Sequence, residues 1–378
     1  MRPAPRHARR RELPGWLAWV VVAGLTGASL GLGFFDLTKR SLWLDEGYTW
    51  MTSAQNTKTI FAIARTQGWH QVPYYMLIHS MIALFGDSSF VLRAPSVIAG
   101  ALSVPLLYAL VNRLGGRLAG IYTCVLYVCS EPLVFWQQNA RDYALVLLFS
   151  IGSVLALVVG LQNEKIWAFL VWAAVTGIGC YTHPEVLFLI PPEMIVLVFW
   201  ARSNRTRIIA GSLVAVGAVA SLPVLGQAAH GGVYQLTPLL PPNYGSATEI
   251  SSFLASAAGS SAPVNSVSHA LLGITFAVVL VAVALLATDL VDRGCQPQNL
   301  GLALGLAWLV MPVLLSWIAS DTGHPSFLDR YVILSLPACS VVLGLVAVSV
   351  RPRALGLFGV VYLTIFRAGL LVGSYHYP

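Results

Sequence analysis

The chain has 378 residues, 57% hydrophobic and 10% charged, with a mean hydropathy of +0.75. Soluble domains run at about 45–50% apolar and 25% charged, so a water-solvated globule is excluded and a lipid-embedded chain is implied. The formal charge of +7 is scattered over short segments between apolar runs and forms no basic, aromatic-studded face, which argues against nucleic acid as a partner.

Apolar runs of about 18 to 22 residues, each long enough to cross a hydrocarbon core as a helix, recur along the chain. The first, 16–36, follows Arg2, Arg6, Arg9, Arg10 and Arg11 and reads as a retained first helix, since further spans come after it. Others are expected at 91–111, 117–136, 143–161, 166–182, 184–201, 208–228, 269–289, 300–319, 331–350 and 354–373. A β-barrel would alternate apolar and polar residues, whereas Leu271 to Leu286 is apolar almost without interruption. The segment Pro73–Phe85 is too short for an easy crossing and contains His79 and Ser80, so it reads as an interfacial helix. With it left out, Arg113, Arg117, Lys165, Arg202, Arg205, Arg207, Arg293, Arg351 and Arg353 share a side with the N-terminal arginines. By the positive-inside rule that side is the cytoplasm. The other side receives a first long loop, 37–90, the turns Gln137–Asp142 and Thr182–Glu185, a second long loop, 229–268, and Ser320–Arg330. Residues 1–378 thus read as one transmembrane domain.

The unusual polar residues gather on that second side. In Trp43-Leu44-Asp45-Glu46-Gly47-Tyr48 two adjacent carboxylates sit among aromatics just beyond the first span. A carboxylate near an apolar interface can serve as a general base, which a sugar hydroxyl needs in order to attack. Glu46 would orient Asp45 or bind the acceptor. His70, Tyr74 and Tyr75 offer hydrogen bonds to a sugar or phosphate, and Arg93, at the outer end of the second span without an adjacent acid, calls for an anion. Arg141 and Asp142 bring a second arginine and a third acid. His183 and Glu185 add another pair, too few ligands for a metal site. Arg330 and Tyr331 head span ten, where a guanidinium can grip two phosphate oxygens. Each cluster alone is a plausible loop; the convergence of acids and arginines on one membrane face carries the functional reading. Glu131 and Glu193 fall inside spans, an expensive place for a carboxylate, and neither has a partner evident in the sequence. The five cysteines show no metal-ligand spacing and read as small apolar residues.

Taken in order, Leu42-Trp43-Leu44-Asp45-Glu46, His70-x-x-Pro73-Tyr74-Tyr75, Leu84-Phe85-Gly86-Asp87-Ser88, Leu92-Arg93-Ala94-Pro95-Ser96, Gln138-Asn139-Ala140-Arg141-Asp142-Tyr143, Tyr181-Thr182-His183 and Phe327-x-x-Arg330-Tyr331 resemble the protein mannosyltransferase type of GT-C glycosyltransferases, including the aminoarabinose transferase-like enzymes. The resemblance implies an all-α polytopic membrane protein, a GT-C-like bundle of about eleven transmembrane helices with interfacial helices in the first extracytoplasmic loop. It implies a polyprenyl-phosphate-sugar donor, a glycan, lipid or protein acceptor, inversion at the anomeric carbon, and an active site facing the periplasm or exterior of a bacterial plasma membrane. Asp45 matches the family's first-loop acid, Glu46 its neighbour, Asp142 the second acid, and Arg93 the arginine heading span two. Two departures matter: Gly47-Tyr48-Thr49 stands where the aminoarabinose transferases have Arg-Tyr, and no lysine precedes Pro73. Phosphate binding is therefore assigned to Arg330. The large C-terminal domain with which many relatives bind acceptors is not expected. No cofactor is assigned, with a divalent metal left open. The rival reading is a lipid-linked sugar transporter or flippase, which should instead show repeats, broken helices and charges near the midplane.

Overall fold

A computed structural model describes residues 13–66, 69–213, 217, 242–255, 266–321 and 327–376, and among these the regular structure is entirely helical. Helix α1 (Gly15–Phe34) leads into three short helices, α2 (Leu44–Ser53), α3 (Thr57–Thr66) and α4 (Val72–Phe85). Then come α5 (Ser89–Val128), α6 (Glu131–Gln137), α7 (Tyr143–Asn163), α8 (Ile166–Thr182), a 3-10 turn (Pro184–Leu189) and α9 (Ile190–Trp200). After a helical stretch at 204–213 follow α10 (Tyr244–Leu254), α11 (Ser266–Arg293), α12 (Leu300–Asp321), a 3-10 turn (Ile333–Ser335), α13 (Leu336–Ser349) and α14 (Arg353–His376). Six of the described helices are long and apolar enough to cross a membrane. The chain is an integral membrane protein.

Helix α5, 40 residues long, is a hairpin of two crossings. Ser103 Oγ donates to the Tyr127 hydroxyl at 3.1 Å, Cys124 Sγ lies 3.5 Å from the Val104 carbonyl, and Gly120 abuts the Tyr108 ring, so the halves run antiparallel. The reversal sits at Gly116, whose φ of 85° and ψ of 176° suit only glycine. The expected span 117–136 does not continue as one helix: it breaks after Val128 and resumes as α6, where Pro132 fits the first turn because its missing N–H has no helical acceptor there.

The core is built from α5, α7 and α13, whose faces are buried nearly all round. By contrast α1 buries only Ala18, Val22, Ser29 and Gly33, a single stripe against α5, and leaves the rest of its apolar surface for lipid. Arg117 donates to the Leu13 carbonyl, Arg113 to Gln162, Trp200 to Asn299 and the Gln296 carbonyl, while Gly301 packs on Leu114 and Gly115 on Leu345. These contacts gather at one end of the bundle the chain segments that the charge pattern placed together. Arg93 donates to the carbonyls of Leu37, Arg40 and Ser41. The loop therefore starts and ends at the same end of the bundle, so α4 is no lone crossing. Most of the expected span 208–228 and of the loop 229–268 lies outside the described residues, as does the N-terminal arginine cluster; within the loop, α10 is a helix capped by Asn243, whose side chain accepts from the Ser246 N–H at 3.0 Å. Glu193 is less isolated than its sequence context indicates: Ser153 Oγ donates to it at 2.5 Å and the Trp172 indole at 2.9 Å. Paired so, a buried carboxyl group inside the bundle is tolerable.

Candidate active site

At the opposite end of the bundle the first loop is locked to the turn between α6 and α7. The two glutamines serve the end of α1: Gln138 donates to the carbonyls of Leu32 and Phe35, acceptors that a helix end leaves unpaired, and Gln137 donates to that of Ser29 one turn earlier. Asn139 accepts from the Trp43 indole at 2.9 Å. Helix α2 opens with Asp45 and Glu46 in its first turn, where carboxylates meet the positive end of the helix dipole, and Glu46 reaches back to the Trp43 N–H at 3.3 Å as in a capping box.

Glu46 is wholly buried. It accepts from Arg93 Nε at 2.7 Å and Nη2 at 2.6 Å and from the Ala140 N–H at 2.7 Å. Of the two parts expected of Glu46, these bonds leave that of orienting Asp45, since with the Trp43 N–H they use every lone pair an acceptor could meet; Arg93, forked onto it and three carbonyls, has no donor left for a substrate phosphate. Tyr74 and Tyr75 are likewise buried side chains facing inward. The Tyr74 hydroxyl meets Ser96 Oγ at 3.1 Å, and Ser96 in turn donates to the Arg141 carbonyl at 3.0 Å, while the Tyr75 hydroxyl donates to Gln71. Tyr74 thus supports the Arg141 turn through Ser96, and Tyr75 ties the start of α4 to Gln71. His70 sits half-buried in the turn ahead of α4, between Trp69 and Gln71, which both have positive φ.

The remaining expected residues come together. Asp45 and Arg330 are each a little over a quarter exposed and face one another, Oδ2 to Nη1, at 3.8 Å. That is beyond hydrogen-bond range, so their attraction is long and weak. Arg330 lies 5.3 Å from the Tyr331 ring, and Asp329 Oδ1 accepts the Arg330 N–H at 2.7 Å, fixing the turn that presents it. Behind them Arg141, 5.9 Å from the Tyr143 ring, reaches Thr49 Oγ1 at 3.4 Å, with its Nε unpaired. Burial opposes the Arg141 charge, but Tyr143, Asp142, Tyr75 and Asp45 around it outweigh burial and raise its pKa. Asp142 is buried with neither carboxylate oxygen hydrogen-bonded. His183 lies between the rings of Tyr143 and Tyr331, 5.3 and 5.6 Å away, and is paired with Glu185. Burial works against its imidazolium, yet Glu185 and Asp142 prevail and its pKa is raised. Among the described residues no three His, Cys, Asp or Glu side chains are grouped to hold a metal ion.

A partly exposed carboxylate facing partly buried guanidiniums, at the mouth of an otherwise apolar helical bundle, is the setting into which the comparisons with known proteins fall. The structure superposes on ArnT from Cupriavidus metallidurans bound to undecaprenyl phosphate, with a TM-score of 0.55 at 13% identity, covering 91% of this chain and 63% of that one. This is the GT-C fold. The Archaeoglobus fulgidus oligosaccharyltransferase in its apo form shares the fold with a TM-score of 0.63 at 11% identity, over 94% of this chain and 56% of that one. The arabinosyltransferase EmbB from Mycobacterium smegmatis does so with a TM-score of 0.51 at 12% identity, over 92% of this chain and 32% of that one. The chain thus spans less than two thirds of the length of these GT-C proteins. The family model for dolichyl-phosphate-mannose-protein mannosyltransferases matches residues 72–226, which takes in Arg93, Arg141, Asp142 and His183 but neither Asp45 nor Arg330. No curated protein sequence matches at a significant level.

Sequence reasoning missed the pairing of Glu46 with Arg93, 47 positions apart, because nothing local marks it. It also missed the service of Gln137 and Gln138 to α1, for which the only signal was two adjacent amides following an apolar run.

Proposed function

We propose that this protein is an inverting membrane glycosyltransferase. It moves a sugar from a polyprenyl-phosphate donor to a hydroxyl of a glycan, lipid or protein acceptor at the first-loop end of the bundle. That end faces the periplasm or exterior of a bacterial plasma membrane. The observation that carries the reading is the apposition of Asp45 and Arg330, both accessible and neither hydrogen-bonded to the other. Asp45 makes no side-chain hydrogen bond among the described residues, so its lone pairs are free for a proton, and Arg330 is free to leave it for a phosphate. In the step proposed, Asp45 takes the proton of the acceptor hydroxyl as its oxygen attacks C1 of the sugar. The C1–O bond to the phosphate breaks, its electron pair leaves with the lipid phosphate, and Arg330 with Arg141 stabilises the charge that develops there. A phosphate leaving group needs little protonation.

The other residues take supporting parts. Glu46 and Arg93 are positioning residues that fix the first turn of α2 and with it Asp45. Asp142, its oxygens unpaired, is set to accept hydroxyl groups of the sugar or to hold Arg141 and His183 in charge. His183 and Tyr331 form the aromatic wall beside Arg330. Resemblance of residues 72–226 to the mannosyltransferases and of the fold to a structure bound to undecaprenyl phosphate supports this choice of donor. Purified protein incubated with a panel of radiolabelled polyprenyl-phosphate sugars and membrane glycan extracts should transfer label from at least one donor. Movement of intact labelled lipid across proteoliposomes without any transfer would instead establish the transporter reading.

A further inference from the structure

A cavity of about 230 Å³ opens beside the end of α1, lined by Asp36, Arg40, Ser41, Trp43, Phe135 and Gln138 together with Leu37, Asn139 and the Glu46–Arg93 pair; the charge of Asp36 is met by Lys39 at 3.2 Å. Neither Asp45 nor Arg330 lines it, so it is separate from the mouth of the reaction centre. Most of its polar groups are already used. Asn139 accepts from the Trp43 indole and donates to the Phe135 carbonyl, Gln138 holds the end of α1, and Glu46 is saturated by Arg93. Arg40 is the exception. Its guanidinium stands 5.9 Å from the Phe135 ring, and among the described residues it has no carboxylate partner, because the acid nearest in sequence, Asp36, pairs with Lys39 at 3.2 Å. A half-buried cation at the rim of a cavity, with five donors in a planar fork, is a receptor for an oxyanion.

The surroundings say where that oxyanion comes from. At the end of α1, Phe34 stacks on Phe90 at 5.6 Å and Phe35 is 56% exposed, an aromatic group of the kind found at headgroup depth. From there the outward face of α1, with Trp19 and Val20 exposed, runs down the bundle as a lipid-facing surface. We infer that this cavity is a second lipid-phosphate site, in which Arg40 holds the phosphate of a membrane lipid whose chains lie along α1. The phosphate belongs either to an anionic phospholipid or to a polyprenyl phosphate. The site's floor is the pair that positions Asp45, so its occupant rests against the support of the reaction centre without entering it.

The inference stands apart from sugar transfer and is tested with no sugar donor present. Native mass spectrometry of the purified full chain is titrated separately with short-chain phosphatidylglycerol, with undecaprenyl phosphate and with phosphatidylcholine. Phosphatidylglycerol, undecaprenyl phosphate or both should bind more tightly than phosphatidylcholine, and Arg40→Gln should weaken one binding event by about ten- to a hundredfold, the loss of one charge-assisted contact. Arg40→Lys should retain most of the affinity. Ser41→Glu, at an exposed side chain, places a carboxylate beside Arg40 and should produce the same loss with the fold untouched, which keeps the test valid if Arg40→Gln aggregates. A loss confined to phosphatidylglycerol identifies bulk phospholipid as the occupant, a loss confined to one undecaprenyl phosphate event identifies the carrier, and a loss of both shows a shared site. Binding of phosphatidylcholine as tight as that of both phosphatidylglycerol and undecaprenyl phosphate, or unchanged binding of both phosphatidylglycerol and undecaprenyl phosphate in folded Ser41→Glu, overturns the inference.

Discussion

Removing Arg93 is the sharpest test of how the reaction centre is held. In Arg93→Ala the wholly buried Glu46 keeps only the N–H groups of Ala140 at 2.7 Å and Trp43 at 3.3 Å, and the carbonyls of Leu37, Arg40 and Ser41 lose their donor. Breaking a buried ion pair by deleting one partner costs about 3–5 kcal/mol, because the surviving charge is stranded. Glu46→Leu alone strands the guanidinium in the same way. The double variant Glu46→Leu/Arg93→Ala buries no charge, so its loss should fall short of the sum of the two single losses by at least about 2 kcal/mol, the remaining loss coming from the unpaired Ala140 N–H and from the carbonyls of Leu37, Arg40 and Ser41. Equilibrium unfolding of the purified variants in mixed micelles measures all three. Arg93→Ala within about 1 kcal/mol of the parent, or strictly additive losses, would show that the pair does not hold the loop and that Asp45 is positioned by something else.

Other consequences follow from single features. Gly116→Ala should destabilise the bundle by about 1–3 kcal/mol in the same unfolding assay, since an L side chain is strained at a φ of 85° and ψ of 176°. His183 has a folded pKa raised above 6.5, so its pairing with Glu185 and Asp142 stabilises fully below that value and is lost as the pH rises through the raised one. The unfolding midpoint of His183→Phe should therefore fall further below the parent at about pH 5.5 than at about pH 8.5; an equal drop at both would deny the charge. Cys295, exposed at the basic end of the bundle, should label from the cytoplasmic side and a cysteine at exposed Thr38 from the other. Labelling of both from one side would break the topology.

That the chain is an all-helical membrane protein was legible because lipid demands long apolar runs whatever their neighbours do, and even the hairpin at Gly116 was readable as two spans from the polar residues between them. The convergence of Asp45, Arg141, Asp142, His183, Arg330 and Tyr331 was legible for a related reason. Once the spans are placed and α4 is left out, those residues must share one end. Side-chain direction was not legible. Asp45 and Glu46 are adjacent in the sequence, but one helical step of about 100° turns one to the mouth and the other into the protein, and only the position of Arg93 on another helix decides which. Tyr74 and Tyr75 were misjudged likewise: a tyrosine next to a predicted cleft and a tyrosine holding up its wall look alike until Ser96 and Gln71 are placed against them. The approach of Arg330 to Asp45 at 3.8 Å, across most of the chain, was not legible: the departure at Gly47 pointed only to a different arginine for the phosphate.

The central claim is that Asp45 is the base for transfer from a polyprenyl-phosphate sugar, and single-turnover transfer by Asp45→Asn tests it most directly. The substitution keeps the side chain's size and removes its basicity, and a positioned general base contributes about 10² to 10⁴-fold in rate, or roughly 3–5.5 kcal/mol. Donor binding should change little, whereas Arg330→Ala should lose donor affinity together with rate, because its phosphate contact exists in both ground and transition states. Once the reactive donor is known, label transferred per enzyme over time, measured with bound donor counted separately, is predicted to fall at least about a hundredfold for Asp45→Asn at near-parental donor occupancy. Near-parental transfer by folded Asp45→Asn would contradict the assignment and pass the role of base to Asp142.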